Sequence, residues 1–287
     1  MRQLTGTPPE RTPVPRPSGA AFGSLVGWAV IWAFVAALLV PLVGTFLFAM
    51  ATRWVVTILP EGLTLAAVIN TVSHPRFWET LVRSLCLAAT AVLVDGILVV
   101  PAVTVLSLTQ RRWRVLFDLA TVIPFALPGV VVALGLVRFY GWALPEALHT
   151  PGLLVAAHAA GGLPIMYWAV HENLRAIGMR QLFEAGMLLG ARPRQILARV
   201  VVPNLLPGVA SGGIFVFAFS FTDFAYANLL VGGGWPTFPV WQAGIMLVDG
   251  HIMAVLTIVS FAILWFTTYV LAGLARRQQP WLAGRTV

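Results

Sequence analysis

Three side chains capable of chemistry sit inside long hydrophobic runs: Asp95, His158 and Asp223. A carboxylate within a bilayer costs about 2.5–3.5 kcal/mol on the insertion scale, so it faces a cavity or a partner rather than lipid. These residue types would suit a metal ion, proton transfer or contact with a cation. They lie on different runs and lack metal-ligand spacing, which argues against a metal centre and an intramembrane enzyme. Asp223 has Phe219, Ser220, Tyr226 and Ala227 three and four residues away. On a continuous helix those residues share one face. Such a face can line a wet, partly aromatic cavity, and a carboxylate beside aromatic faces suits a cation. The candidate solute pathway is therefore Asp223, Ser220, Phe219, Tyr226 and Asp95. For Asp95 an interhelical hydrogen bond is the plainer expectation, and His158 reads as a packed core histidine. Asp118 follows Arg114 by four residues, the spacing of an ordinary helix pair.

Phosphate chemistry is missing from the sequence. There is no Gly-x-x-x-x-Gly-Lys-Ser/Thr loop, and with no Lys among the 18 basic residues there can be none. The net charge of +8 is not pooled in a basic domain or an aromatic-interleaved patch, so nucleic acid is not an expected partner. The single cysteine, Cys86, offers no disulfide framework and is expected to be a buried small hydrophobe.

The elements that must position these groups are membrane helices. Hydrophobic residues make up 59% of the 287 and charged ones only 10%, against about 25% charged in a soluble domain. The apolar excess must face lipid. Six spans are expected, at about 24–50, 81–106, 117–140, 153–170, 205–230 and 252–274. They must be helical, because backbone groups in lipid have to be satisfied within the segment. The first run is too long for a signal-peptide core, so it reads as an uncleaved span. Residues 1–23, rich in Pro and Arg, read as a mobile tail before a single membrane domain over 24–287. Pro124 and Pro128 interrupt the third span, and Gly161, Gly162 and Pro164 the fourth. Gly208 and Gly212 form a small-xxx-small pair on the fifth, suited to close helix packing.

Placing the amino terminus inside puts 14 of the 18 arginines on the inner side, leaving Arg53, Arg76, Arg83 and Arg138 outside or at outer ends. That bias predicts cytoplasmic termini. The outer segment 51–80 contains Leu63, Leu65, Val68 and Phe77 and is expected to pack on the outer surface.

The inner segment 171–204 is too long to be a mere connection. Leu182 to Leu189 suits a helix, and Gly190 is its natural stop. Pro193 suits the first turn of a second helix. Ile196, Leu197, Val200 and Val201 give that helix an apolar face. Pro203 and Pro207 are expected to separate it from the fifth span. A short rigid helix pair of this kind can seat in a groove of a soluble motor and move with it.

Glu184-Ala185-Gly186, three residues, Gly190, nine residues and Val200-Val201-Val202-Pro203 resemble the signature loop of binding-protein-dependent ABC importer permeases of the type I, MetI-like kind. That loop reads Glu-Ala-Ala, three residues, Gly, nine residues, Ile-x-Leu-Pro. The spacing agrees throughout. Gly186 replaces the third alanine, valines replace Ile and Leu, and Arg192 stands where a small capping residue is usual, which predicts a poorly capped second helix. The resemblance covers about 77–274. The run from Pro124 to Tyr140, the Leu163-Pro164 pair and Ser220-Phe221-Thr222-Asp223-Phe224 lean towards the branch for polyamines, ferric iron, thiamine and phosphonates.

The resemblance implies an all-α membrane fold of six transmembrane helices, with a cytoplasmic helix-turn-helix coupling loop between spans four and five. It implies half of a translocation pathway in a bacterial inner membrane. Glu184, Ala185, Gly186, Gly190 and Ala191 would dock on the ATPase. The implied partners are an ATP-binding subunit dimer that holds ATP-Mg, a second permease and an extracytoplasmic solute-binding protein. No cofactor is expected on this chain. The alternative, an ion-gradient-driven secondary transporter, predicts inverted repeats and paired intramembrane charges, and the sequence shows no convincing repeat.

Overall fold

The computed structural model describes residues 20–54, 57–108 and 111–277. Most of the expected amino-terminal tail, and the last arginine of the inner set, Arg285, lie outside them. In chain order the helices are α1 (Ala20–Met50), α2 (Ala66–Ser73), α3 (Pro75–Leu108), α4 (Arg111–Ala126) and α5 (Gly129–Ala143). They continue with α6 (Pro151–Ala176), α7 (Met179–Leu188), α8 (Pro193–Ile196), α9 (Val202–Thr222), α10 (Ala225–Leu230), α11 (Phe238–Ile245) and α12 (Gly250–Arg277). Among the described residues the only strand-like pairing is an isolated bridge, Ala51 to Leu63.

Five stretches are long and apolar enough to cross a membrane: Val26–Met50, Pro75–Leu108, Pro151–Ala176, Pro193–Thr222 and Gly250–Ala275. The expected third span is not one helix. It divides into α4 and α5, because Pro128 has no N–H to donate and forces an extended residue before it. Pro128 takes φ −58° and ψ 136°, and its carbonyl restarts the ladder by accepting from Val131 and Val132.

The centre of the molecule is the trio α3, α6 and α9, which pack on one another more extensively than any other elements. α6 is the most enclosed span. It runs unbroken through Gly161, Gly162 and Pro164, where an interruption was expected, and extends past the expected 153–170 by two residues at its start, where Thr150 caps it by accepting from the Leu153 N–H at 3.3 Å and Pro151 fills the first turn, and by six at its end. Glycines let α6 and α9 close up. A Cβ on Gly208 would lie 2.6 Å from Asn173 Cβ, and one on Gly212 would lie 3.2 Å from Met166 Cα. The expected small-xxx-small contact is therefore present.

The apolar window of α1 buries none of its residues within the chain, so those side chains are available to lipid, while Ala49 at its end is buried beside Ala254 and Val255. In the 51–80 segment, Phe77 is buried on α3 against Phe238 and Trp241, and Val68 packs beside Ala254. Leu63 and Leu65, expected to pack, are exposed. Cys86, expected to be buried, is also exposed.

Candidate functional site: a helical hairpin and a buried polar seam

The hairpin between α6 and α9 is built from its stop signal outward. Gly190 has φ +78°, the left-handed conformation that only glycine adopts freely. Its N–H donates to the Met187 carbonyl and the Ala191 N–H donates to the Gly186 carbonyl, both at 3.0 Å. This is the paired hydrogen-bond closure of a Schellman helix end, which satisfies carbonyls that would otherwise be orphaned.

Gly186, the departure from alanine, has a local cause. A Cβ there would lie 2.8 Å from Ile196 Cδ1, so the missing methyl lets the second arm lie on the first. Ile196 is 2% exposed and joins Met179, Val201, Leu174 and Leu205 in the core. Burial of that one side chain is worth about 1.5–3 kcal/mol.

The second arm is better capped than its sequence suggests. The Gln195 side chain accepts from the Arg192 backbone N–H at 2.9 Å, supplying one half of a capping box. An arginine side chain has only donors and cannot supply the other half.

The expected break at Pro203 and Pro207 does not occur. Residues 193–222 run on as one helix through a π turn, Leu197–Val201. The Val202 N–H reaches back to the Leu197 carbonyl, and Asn204 Nδ2 donates to the Val200 carbonyl at 2.7 Å. The wider turn accommodates Pro203, whose ring would crowd the carbonyl four residues back in a regular helix. The hairpin is thereby continuous with a membrane span.

Its outer surface is a mixture of charge and exposed apolar residues. Glu184 pairs with Arg180 at 2.8 Å, and both are well exposed, so the pair itself adds little stability. Leu188 and Leu189 are 88% and 87% exposed at the tip. Sequence reasoning chose Glu184, Ala185, Gly186, Gly190 and Ala191 and missed these two leucines. The available signal was two large apolar residues directly before a stop glycine, where the chain leaves its amphipathic face.

The second group of residues lies within the bundle. The face expected around Asp223 is not on one helix, because α9 ends at Thr222 and Asp223 is extended at ψ 126°. Its Oδ2 instead accepts from the backbone N–H groups of Tyr226 and Ala227, at 2.9 and 3.2 Å. The carboxylate thus starts α10, which favours an acid at its amino end. A helix-cap pattern inside an apolar run was the overlooked signal. Phe219 and Tyr226 remain neighbours across the break, their rings 6.4 Å apart and edge to face. They line a groove of about 540 Å³ together with Tyr140, Gly129 and Gly161.

Behind that aromatic pair lies His158, fully buried as expected. Its Nδ1 sits 2.9 Å from the Leu154 carbonyl, and its Nε2 lies 3.4 Å from Asp223 Oδ2. Ser220 is also buried, and its Oγ has no hydrogen-bond partner. Asp95 is fully buried where α3 meets α6 and α9. A Cβ on Gly162 would meet both the Asp95 carboxylate and Val216. The interhelical hydrogen bond expected of Asp95 is not formed, since both of its oxygens lack a partner. Asp118 accepts from Tyr167 Oη, tying α4 to α6; the side chain of Arg114, its expected partner, lies outside the described residues. No cluster of three or more metal-ligating side chains occurs among the described residues.

Comparison with known proteins fits this architecture. Residues 100–283 match the family described as the binding-protein-dependent transport system inner membrane component. The chain is 26% identical over 240 residues to the putrescine transport system permease protein PotI of Escherichia coli (strain K12), covering 80% of each chain. It is 30% identical over 193 residues to the molybdenum transport system permease protein ModB of Mycobacterium tuberculosis (strain ATCC 25618 / H37Rv), covering 60% of this chain and 72% of ModB. Among solved structures, it resembles a chain of a bacterial ABC transporter involved in the import of alginate, with a TM-score of 0.66 at 19% identity. That likeness covers 91% of this chain and 98% of the other. The MetNI methionine ABC transporter in inward-facing form gives a TM-score of 0.58 at 16% identity, over 72% of this chain and 99% of that one.

Proposed function

This chain belongs to the binding-protein-dependent transport system inner membrane components, and from that premise we propose that the α6–α9 hairpin is where a separate ATPase drives it. The chain is a multi-pass membrane permease subunit of an importer, not an enzyme. The ion-gradient alternative is set aside with that membership.

The observation carrying the mechanical reading is the tip of the hairpin. Leu188 and Leu189 stand almost fully in the open on a helix end locked by Gly190, while Ile196 on the same hairpin is anchored in the bundle core. An exposed apolar pair on a rigid support suits a partner groove. Glu184, Ala185, Gly186 and Ala191 shape that support. ATP binding by the partner dimer, which would hold ATP-Mg, closes the motor and displaces the hairpin. The unbroken 193–222 helix carries the displacement to the far end of α9.

The aromatic groove forms this chain's half of the pathway, and a second permease supplies the other half. A solute-binding protein delivers cargo at the far end. The arginine distribution supports cytoplasmic termini and a cytoplasmic hairpin.

The test is co-purification with a cognate ATPase subunit. Leu188→Ser with Leu189→Ser is expected to lower ATPase recovery at least about tenfold, as loss of a central apolar contact should. The isolated chain should keep its melting temperature. Unchanged recovery would remove the hairpin from the docking surface.

A further inference from the structure

His158 stands between two oxygens. Its Nδ1 lies 2.9 Å from the Leu154 carbonyl, which can only accept. Its Nε2 lies 3.4 Å from Asp223 Oδ2, an ion-pair separation without the alignment of a hydrogen bond. That carboxylate oxygen is already an acceptor, since it takes the N–H groups of Tyr226 and Ala227. Either neutral tautomer of the imidazole would turn a ring lone pair towards one of the two oxygens. A ring protonated on both nitrogens suits both, and Asp223 balances its charge. His158 is 0% exposed, so a charge there needs a partner close by, and the Asp223 carboxylate is one. Two further titratable groups face this part of the bundle. Tyr226 on α10 presents its ring to the histidine, and Asp95 on α3 meets α6 at Gly162, one turn further along. No arginine lies on α9 or α10.

The pair sits at a joint. α9 ends at Thr222, Asp223 is extended, and α10 begins afresh at Ala225. α10 packs on α5 and α6 rather than back on α9. The joint therefore separates an α9 arm, continuous with the hairpin, from an α10 arm seated on α5.

The groove wall crosses that joint. Phe219 stands in the last turn of α9 and Tyr226 in the first turn of α10, and their edge-to-face contact bridges the two arms. Each ring is seated on a glycine. A Cβ on Gly161 would lie 3.0 Å from the Phe219 ring, and one on Gly129 would lie 3.3 Å from the Tyr226 ring. The His158 ring backs both, at 5.8 Å from Phe219 and 5.6 Å from Tyr226. One imidazole thus supports both halves of the wall and pairs with the residue at the joint between them.

We propose that His158 is a positioning residue for transport: paired with Asp223 as an imidazolium, it latches the α9–α10 joint and keeps Phe219 against Tyr226 until the motor moves α9. The inference rests on the permease reading and deepens it. Displacement of the hairpin travels along residues 193–222 and shifts Phe219, while Tyr226 stays with α5. The His158–Asp223 contact spans α6 and the joint, so this movement stretches it. A contact made in the closed state alone favours that state, and its removal raises the open fraction whatever the trigger. The open wall is linked to the closed motor, so the same removal favours the motor's ATP-bound form.

The test uses the whole importer, reconstituted in liposomes with its ATPase subunits, companion permease and own binding protein. ATP hydrolysis is measured with and without the binding protein. His158→Phe keeps a ring and loses both donors. Asp223→Asn loses the charge and keeps an acceptor for the two N–H groups. Each is expected to raise hydrolysis in the absence of binding protein at least about tenfold, the worth of a charge-assisted contact. The double variant should rise no further than the singles, because both remove one contact. A residue that merely fills the core would lower hydrolysis along with stability; a latch raises it. Asp223→Asn decides alone if His158→Phe does not assemble. Hydrolysis without binding protein that is unchanged or lower in the assembled variants, or that adds up in the double variant, overturns the latch and leaves the permease reading standing. Failure of any ATPase to assemble with the unaltered chain strikes the permease reading instead.

Discussion

Single residues here are placed by what they exclude as much as by what they bond. Asp95 is admitted to the core because Gly162 has no side chain: a Cβ there would overlap Asp95 Oδ2. Gly162→Ala is therefore expected to destabilise the chain by about 1–3 kcal/mol through overpacking. The penalty should shrink when Asp95→Ala is added, which a double-mutant cycle of melting temperatures in detergent would measure. Additive effects would show that the two residues do not meet. Asp223 has a different task, as the acceptor for two backbone N–H groups at the start of α10. Asp223→Ala should cost about 0.5–2 kcal/mol, and Asp223→Asn much less, because an amide oxygen still accepts. Faster hydrogen exchange at Tyr226 and Ala227 in Asp223→Ala alone is the expected signature. Asp223 was visible in the sequence as a costly carboxylate. Tyr226 and Ala227 do meet it, but through their backbone N–H groups, because Asp223 breaks the helix that was expected to run through it.

At the scale of elements, local stop signals were legible and proline effects only in part, for the interruption expected at Pro128 occurs and the boundary expected at Pro203 and Pro207 does not. Gly190 ended α7 as expected because nothing but glycine tolerates φ +78° without strain. Gly190→Val should strain that turn by about 1–3 kcal/mol and misdirect the Leu188–Leu189 tip. Uptake should fall while the membrane helices stay folded, a split visible in transport assays set beside circular dichroism. Pro203 and Pro207 looked like a boundary, yet the chain absorbs them through the π turn at Leu197–Val201. Pro128 does divide its span. The difference lies in what surrounds each proline. Near Pro203 a wider turn and the Asn204 side chain serve the freed groups, whereas Pro128 begins a helix and needs no N–H. Sequence spacing alone contains neither compensation.

For the molecule as a whole, one rigid path joins the hairpin to the buried seam. Residues 193–222 form a single helix whose first turn holds Ile196 in the core and whose last holds Ser220 at the seam. α6 returns beside it, closely packed at Gly208 and Gly212. Apolar composition made the spans legible, and the loop motif made the drive legible. The unpartnered buried polar atoms of Asp95 and Ser220 were not legible, because they arise where three helices meet. Transport depends on the hairpin tip touching the motor. Its most direct measurement is cross-linking from Leu189→Cys in a Cys86→Ser background, within the assembled importer. Capture of the ATPase subunit is expected from that position and none from Trp142→Cys, an exposed site at the end of α5. Capture from Trp142→Cys, with none from Leu189→Cys, would contradict it.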